Sequence, residues 1–325
     1  MKVAVPIVLP NVNERRHVHI LNPTSGGKKY FDSSCRAIEK YGGEKLVSEF
    51  PGHIRELTAE LFSRDPFAHV VIYGGDGSVF EAVNGIMDSG NAVTASFSVI
   101  PNGSGNDFST YANDSGDFKK SELTKIDLIK TNFGDETFYF ANMMNIGFDC
   151  AVVKETYSLK KKPIFGGSMA YIAGVLKVLA VKKTFDAKIC LSGCVSLSDN
   201  SALKDICKDK KLLLTACANA RFCGGGFNAA SLAMLTDGFM DVLIVNDVTR
   251  MKFLSLVGDY RTGDYISASG EIKTAFSDVI SYIRCKKMEI TGPELICLDG
   301  EIYETDREKR VTAEICPGAV WFASL

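Results

Sequence analysis

Four short segments bring together residue types that do chemistry in company. Gly74-Gly75-Asp76-Gly77-Ser78 and Gly103-Ser104-Gly105-Asn106-Asp107 each combine glycines, a hydroxyl and a carboxylate. Glycine lets a backbone come close to a ligand and take up positive φ. Adjacent N–H groups, with a helix N-terminus behind them, make an anion site. The aspartate would repel an anion unless a metal or a hydroxyl lay between them, so the combination points to a nucleotide phosphate handled together with Mg2+. A third segment, Asn22-Pro23-Thr24-Ser25-Gly26-Gly27, has Lys28 and Lys29 behind it. It is not a Walker A loop, because Lys29 stands where Ser or Thr would have to be, and no G-x-G-x-x-G opens a βαβ unit. The fourth, Leu298-Asp299-Gly300-Glu301, holds carboxylates on a tight turn. Asp-Gly is an ordinary turn signal. It is also a place for the general base that phosphoryl transfer to a hydroxyl requires.

The elements around these segments repeat. Apolar runs at 18–21, 45–50, 68–73 and 94–100 alternate with helical patterns at 28–41, 51–64 and 79–87. In the first helix Phe31, Cys35, Ile38 and Tyr41 recur at helical spacing. In the second, Ile54, Leu57, Leu61 and Phe62 share a face. Strand, loop, helix, repeated, predicts a parallel sheet with crossover helices. The three glycine-rich loops each follow a strand, and in such sheets ligands sit beyond the strands' carboxyl ends. The loops should therefore meet.

Beyond about residue 125 the pattern changes. Strands are predicted at 126–129, 137–145, 185–191, 212–218, 239–245, 287–291 and 294–297, with helices at 169–181 and 249–259. Terminal strands follow at 311–315 and 319–322. This half reads as a mostly antiparallel β domain, a sandwich.

Composition narrows the function classes. The chain is 46% hydrophobic and 23% charged, with 37 Lys+Arg against 39 Asp+Glu and a net charge of -2, which argues against a nucleic-acid binder working through a dense basic surface. Ten cysteines form no C-x-x-C pair, so zinc-ribbon and thioredoxin-like readings fail, and reduced, mostly buried thiols of a cytosolic protein are expected. Residues 1–16 read as a loose extension, broken by Pro6 and Pro10. No apolar run approaches the roughly 20 residues that span a bilayer, so a lipid would have to be met from the side of the membrane. Lys160-Lys161-Lys162 and Lys182-Lys183 read first as solvated charge runs and second as contacts for anionic headgroups. Tyr139, Phe140, Phe165 and Tyr171 read either as core or as the lining of a lipid groove. His17 and His19 alternate on a strand, which explains them better than a metal does.

Taken together, the four segments resemble the diacylglycerol kinase catalytic-domain family, and most closely its small soluble bacterial lipid kinases. Asn142–Asp149 (NMMNIGFD), Asn219–Gly226 (NARFCGGG) and Thr236–Asp241 (TDGFMD) extend the resemblance over most of the chain from His17. It implies an α/β N-terminal domain with a parallel sheet, of the NAD kinase/phosphofructokinase type, and a mostly antiparallel β-sandwich C-terminal domain. The implied boundaries are 17–132, joined by 305–325 returning at the C-terminus, and 133–304 for the lipid substrate, with ATP and Mg2+ in the cleft between domains. It further implies nucleotide contacts from Asn22, Pro23, Thr24, Ser25 and Gly26, from Gly74, Gly75, Asp76, Gly77, Ser78, Val79 and Phe80, and from Ser104, Gly105, Asn106 and Asp107. Ser48 matches a position where the family often has a nucleotide-contacting Thr.

By the same resemblance Glu301 is the catalytic acidic residue, with Asp76, Asp107 and Asp299 orienting the metal–phosphate assembly. A second, structural Mg2+ is implied at the Asp237 carboxylate and the main-chain carbonyls of Met234 and Phe239. Ser78 and Ser104 stand where the family has Thr, which keeps the hydroxyl. Phe80 stands in place of Asn, which does not keep the polar group; Asn102 and Ser231 replace a usual Leu and Pro. The implied activity is ATP-dependent phosphorylation of diacylglycerol or a related lipid alcohol by a cytoplasmic protein in peripheral contact with the membrane; a homodimer is left open. Two other readings stay open at this point: an NAD kinase-like enzyme for a soluble substrate, and a non-catalytic nucleotide- or lipid-binding member.

Overall fold

The computed structural model describes residues 11–160, 174–175, 177–181 and 183–325. The expectations for residues 1–10, for Lys161, Lys162, Phe165, Tyr171 and Lys182, and for positions 169–173 and 176 of the helix at 169–181 lie outside the described residues. The chain divides into two compact units. Unit 1 takes the residues up to 103, then 112–126 and 319–325; unit 2 takes 104–111 and 127–318.

In unit 1, β1 (His17–Leu21) pairs in parallel with β2 (Glu44–Val47) and β3 (His69–Gly74), and β3 pairs in parallel with β4 (Ser96–Pro101). Trp321 and Phe322 add a further parallel partner to β4. All six residues of β3 are buried, as a strand covered on both faces requires. Helix α1 (Lys28–Tyr41) lays Phe31, Cys35 and Ile38 of the predicted apolar stripe on Leu21, Val71 and Tyr73; the side chain of Tyr41, the stripe's fourth member, lies outside the described part. It runs between Gly27 and Gly42, both at positive φ.

Helices α2 (His53–Arg64) and α3 (Asp76–Asp88) cross closely. A Cβ on Gly85 would lie 1.9 Å from Thr58 Oγ1 and 2.2 Å from the Arg55 carbonyl oxygen. Thr58 is fully buried among Ile54, Leu61 and Phe62 because its hydroxyl donates to the Ile54 carbonyl.

Helix α3 starts three residues before its apolar pattern does. Gly75 is the extended N-cap, Ser78 and Val79 donate their N–H groups to its carbonyl, and Asp76 sits in the first turn, where a carboxylate opposes the positive end of the helix dipole. The segment expected as a loop is thus half loop and half first turn.

Unit 2 is built on antiparallel ladders. Strand β7 (Met143–Gly147) pairs with β9 (Ile206–Ala218) and β13 (Leu295–Leu298). Strand β9 also pairs with β8 (Phe185–Ser192) and β10 (Met240–Asn246), β10 with β11 (Ile280–Cys285), and β8 with β12 (Lys287–Thr291). Strand β12 continues to β15 (Val311–Ala323) at Val311–Glu314, and β13 closes on β14 (Glu301–Glu304). Strands β5 (Leu123–Phe133) and β6 (Glu136–Phe140) form a further hairpin.

The unit 2 core combines β7, β9 and β10 residues such as Met143, Leu214 and Leu243 with α5 (Phe148–Lys160) and α6 (Arg250–Thr262) through Phe148, Val152, Phe253 and Tyr260. Phe140 is fully buried and belongs to packing. Thr249 caps α6, its side chain accepting from the Lys252 N–H.

Three sequence expectations are corrected. The strand expected over 137–145 is two strands, because the N–H groups of Ala141 and Asn142 turn to the Asp299 carboxylate instead of a ladder partner. The two terminal strands are one, β15. Two cysteines are not free: Cys190 and Cys207, directly opposite on β8 and β9, form a disulfide. Spacing along the chain could not reveal that pair, since it is created by strand register.

Candidate active site

The glycine-rich loops of unit 1 are joined by their own backbone. Asn22 donates its N–H to the Tyr73 carbonyl, Ser48 to the Leu21 carbonyl and Asn102 to the Gly74 carbonyl, so the ends of β1, β2, β3 and β4 are laced together. The Asn22 side-chain amide donates to Ser78 Oγ at 3.0 Å, and the Thr24 N–H and hydroxyl both donate to Asn22 Oδ1.

Space is short where the loops meet. A Cβ on Gly74 would lie 2.3 Å from Ser78 Oγ. Gly26, at φ 69°, has the Asn102 carbonyl oxygen 2.7 Å from where a Cβ would be. Ser48 and Ser78 are buried, while Val79 and Phe80 are core side chains of α3, so any ligand contact from these two comes from the main chain. The result is a cradle of backbone and hydroxyl groups at the N-terminus of a 13-residue helix, with donors suited to phosphate oxygens. Asp76 and the serine hydroxyls are hard oxygen donors of the kind Mg2+ takes, and fit a metal that arrives with a nucleotide.

Ser104, Gly105, Asn106 and Asp107 belong to unit 2. Asn106 sits at φ 58° and accepts the Thr110 N–H at the start of α4 (Asp107–Asp114). The Asp107 carboxylate is 6% exposed and accepts the N–H groups of Gly225 and Gly226 at 2.8–3.1 Å. It therefore anchors the loop Cys223–Phe227, whose glycines at 224, 225 and 226 all have positive φ.

Asp299 does similar work. The Asp299-Gly300 turn links β13 to β14 with φ values of 47° and 99°. The Asp299 carboxylate is buried and accepts from the backbone N–H groups of Ala141 (2.9 Å), Asn142 (3.0 Å) and Met143 (2.8 Å). Glu301, two residues on, is exposed. One carboxylate thus fixes the turn and the other is presented by it.

A third cluster surrounds Asp237. Its Oδ1 accepts the Phe239 N–H, and Oδ2 lies 3.5 Å from the Arg284 guanidinium. Arg284 makes a two-pronged pair with Asp241, which also accepts the Tyr282 hydroxyl. Asp127 accepts the Gly238 and Gly318 N–H groups. Burial pushes the Asp237 carboxyl up to about 6, against the pull of Arg284, and burial also raises Asp127.

Two carboxylates, Asp237 and Asp241, share one guanidinium, and Asp127 stands near enough to raise Asp237 further, so the site is short of positive charge. Among the described residues no three acidic, His or Cys side chains converge as metal ligands, so a hydrated Mg2+ would rest on Asp237 and main-chain carbonyls, a donor set that fits it. Sequence reading missed Asp127 and Arg284. Asp127 carried a signal, a charge inside the apolar run Ile126-Asp127-Leu128-Ile129; Arg284 carried none. His17 and His19 bond to the Val12 carbonyl and the Tyr73 hydroxyl, which accounts for them without a metal.

Comparison with known proteins agrees with this architecture. Residues 16–132 match the family described as the diacylglycerol kinase catalytic domain, and residues 142–323 match the YegS C-terminal NAD kinase beta sandwich-like domain. A "Probable lipid kinase YegS-like" of Shewanella frigidimarina is 28% identical over 268 residues, covering 79% of this chain and 77% of that protein. One of the same description from Stenotrophomonas maltophilia is 24% identical, over 93% of each chain. A crystal structure described as a diacylglycerol kinase from Bacillus anthracis superposes with a TM-score of 0.62 at 18% identity, covering 95% of this chain and 96% of that one, and supports the fold.

Proposed function

The chain belongs to the YegS-like lipid kinase family, in which a diacylglycerol kinase catalytic domain is followed by a YegS C-terminal domain, and from this we propose that it transfers the γ-phosphoryl group of ATP to the hydroxyl of diacylglycerol or a related lipid alcohol. The observation that carries the reading is the cradle of unit 1. Two loops 56 residues apart are tied by the Asn22–Ser78 bond, over glycines with no room for a side chain.

The proposed roles follow from what each group offers. Main-chain N–H groups of Asn22–Gly26 and Gly74–Ser78 receive phosphate oxygens, and the N-terminus of α3 favours their charge. Asp76 would hold a Mg2+ bound with the nucleotide, which would supply neutralising charge to the phosphates. Val79 and Phe80 support the helix from its core side, and Ser48 supports the end of β2. Ser104, Gly105 and Asn106 lead into α4, and Asp107 holds the Gly224–Gly226 loop. Asp299 orients the turn, and Glu301 accepts the lipid hydroxyl proton while the new oxygen–phosphorus bond forms and the bond to the departing ADP breaks. A structural Mg2+ would be held by Asp237 with the Met234 and Phe239 carbonyls and would supply the positive charge that cluster lacks. No helix of the described residues is long and apolar enough to cross a membrane; the proposed enzyme works at the cytoplasmic surface of a bilayer.

The test is transfer from γ-labelled ATP to a total lipid extract, with identification of the labelled lipid. Glu301→Gln is expected to lower turnover by about 10²–10⁴-fold while nucleotide binding and melting temperature stay unchanged. Undiminished transfer by Glu301→Gln would remove Glu301 from the mechanism. Labelling of NAD instead of lipid would replace the acceptor.

A further inference from the structure

Unit 2 holds two carboxylate-bearing segments, 104–107 and the Asp299-Gly300-Glu301 turn. Each buried carboxylate binds backbone N–H groups of a different stretch of chain, and the two stretches meet at Asn142, which is 4% exposed. The Asn142 main-chain N–H donates to Asp299 Oδ1 at 3.0 Å. Its carbonyl accepts the N–H groups of Asn219 (2.9 Å) and Ala220 (3.1 Å), and its side-chain amide donates to the Phe222 carbonyl at 2.7 Å. One residue thus touches the turn that presents Glu301 through its backbone and the 219–222 segment through its carbonyl and side chain.

From Phe222 the chain runs directly into the glycine loop. Cys223 and Phe227 exchange N–H···O bonds, both 2.9 Å, and close it. The N–H groups of Gly225 and Gly226 hold Asp107, and a Cβ on Gly225 would lie 3.9 Å from the Gly105 Cα. The Arg221 guanidinium lies over the Tyr111 ring, one helical turn beyond Asp107, so the same stretch is fixed to α4 at a second point. A continuous path therefore leads from Asp107 through the loop to Phe222, across the Asn142 side chain, and on to Asp299 and Glu301.

The choice of asparagine is informative. Asn142 Oδ1 is buried with no donor among the described residues. An apolar side chain would fill the space without that cost, so the position is kept for its NH2 group. Asn219 is built alike: it is fully buried, its amide donates to the Asp127 and Ala141 carbonyls, and its Oδ1 is bare. We propose that Asn142 is a positioning residue of the transfer reaction, its bond to Phe222 setting the glycine loop and the 104–107 segment at a fixed distance from the turn that presents Glu301. The inference rests on the lipid-kinase reading for the part Glu301 plays. A general base has to stand within hydrogen-bond reach of its proton, and a misplacement of about 1 Å costs roughly 100-fold in rate.

The experiment measures kcat, and KM for ATP, in transfer to detergent-dispersed diacylglycerol by the full chain as wild type, Asn142→Ala, Glu301→Gln and the double variant. Asn142→Ala keeps the main-chain bonds of the residue and removes the link to Phe222. It is expected to lower kcat about 30–100-fold and to leave KM for ATP within about twofold, since the cradle of unit 1 is untouched. In the Glu301→Gln background the same substitution should cost less than about twofold, because the place of the base no longer matters once the base is gone. Hydrogen exchange reads the link without any transfer: in Asn142→Ala the N–H groups of Gly225 and Gly226 should exchange about tenfold faster, while the central strands of unit 2 exchange as in wild type.

Undiminished kcat in Asn142→Ala overturns the proposal. So does a loss that multiplies with that of Glu301→Gln, which would mark a general weakening of unit 2. Should Asn142→Ala fail to fold, Asp107→Asn cuts the same path at its far end, and the N–H groups of Ala141, Asn142 and Met143 should then exchange about tenfold faster; unchanged exchange there overturns it as well. A wild-type protein that labels no lipid ends the lipid-kinase reading, and the exchange measurements still decide whether Asn142 holds loop and turn together.

Discussion

Replacing Asp299 by Asn separates positioning from chemistry in the β13–β14 turn. The carboxylate has two oxygens and serves three buried N–H groups: Oδ1 accepts from Asn142 and Met143, Oδ2 from Ala141. Asn offers one oxygen. Whichever way the amide turns, its NH2 faces at least one backbone N–H that has lost its acceptor, at about 1–3 kcal/mol. The remaining bonds fall from charge-assisted to neutral, at about 1 kcal/mol more. The expected loss is about 3 kcal/mol, or roughly 6–12 °C in melting temperature for a unit of this size class. Turnover should fall with it, because the same turn presents Glu301. Glu301→Gln, at an exposed position, should leave melting unchanged. Thermal unfolding by circular dichroism, run beside the transfer assay, distinguishes the two variants. An Asp299→Asn protein that melts like wild type would show that the three N–H groups do not depend on the carboxylate, and the positioning role would be abandoned.

Other consequences are open to measurement. Gly74→Ala forces Ser78 away from Asn22 and should weaken binding of an ATP analogue by at least the worth of that bond, about 1 kcal/mol or roughly fivefold; unchanged affinity in a calorimetric titration would refute the cradle. His69 is buried between the Ser96 and Ser98 hydroxyls, and burial first, then His17, Arg15 and His19, holds its pKa down to about 3. Its folded-state pKa lies below the unfolded one, so between about pH 6.5 and 3 only the unfolded chain takes the proton. Stability should therefore fall as pH drops through that window, by about 1.4 kcal/mol per pH unit, and denaturant titrations of His69→Gln should show a shallower slope. Thiol titration in denaturant is expected to find eight reactive cysteines without reductant and ten with it, the difference being Cys190 and Cys207; ten in both would remove the disulfide.

The α/β half was legible because its signals are local. Glycine is demanded where strands end at a ligand, and α1 declares its buried stripe within 14 residues. What stayed hidden depends on partners distant in sequence. Asp107 and Asp299 share motifs with residues suited to phosphate, yet their carboxylates bind backbone N–H groups at 225–226 and 141–143, which no spacing rule encodes. The helix α3 begins at Asp76 because its first turn needs donors and an acidic side chain, not apolar ones, so periodicity found only its later part. Helices α4 and α5 escaped for a related reason: the first is short and polar, and the second opens inside a motif read for its chemistry. Arg284 reads as one charge in an alternating strand until Asp241 is set against it.

The sheet of unit 1 takes its closing partner from residues 319–325, where Trp321 and Phe322 lie beside β4 and Ser98 donates to the Ala323 carbonyl. A ribosome therefore finishes all of unit 2 before the earlier half can be sealed. Until residues 319–325 are made, β4 offers a bare edge to any neighbouring nascent chain, the hazard that folded sheets cover. Termination before residue 319 would spare every residue assigned to phosphoryl transfer and still yield a polypeptide that degradation machinery treats as unfinished, its damage appearing some 220 residues upstream of the lesion, as the 225-residue span from Ser98 to Ala323 dictates.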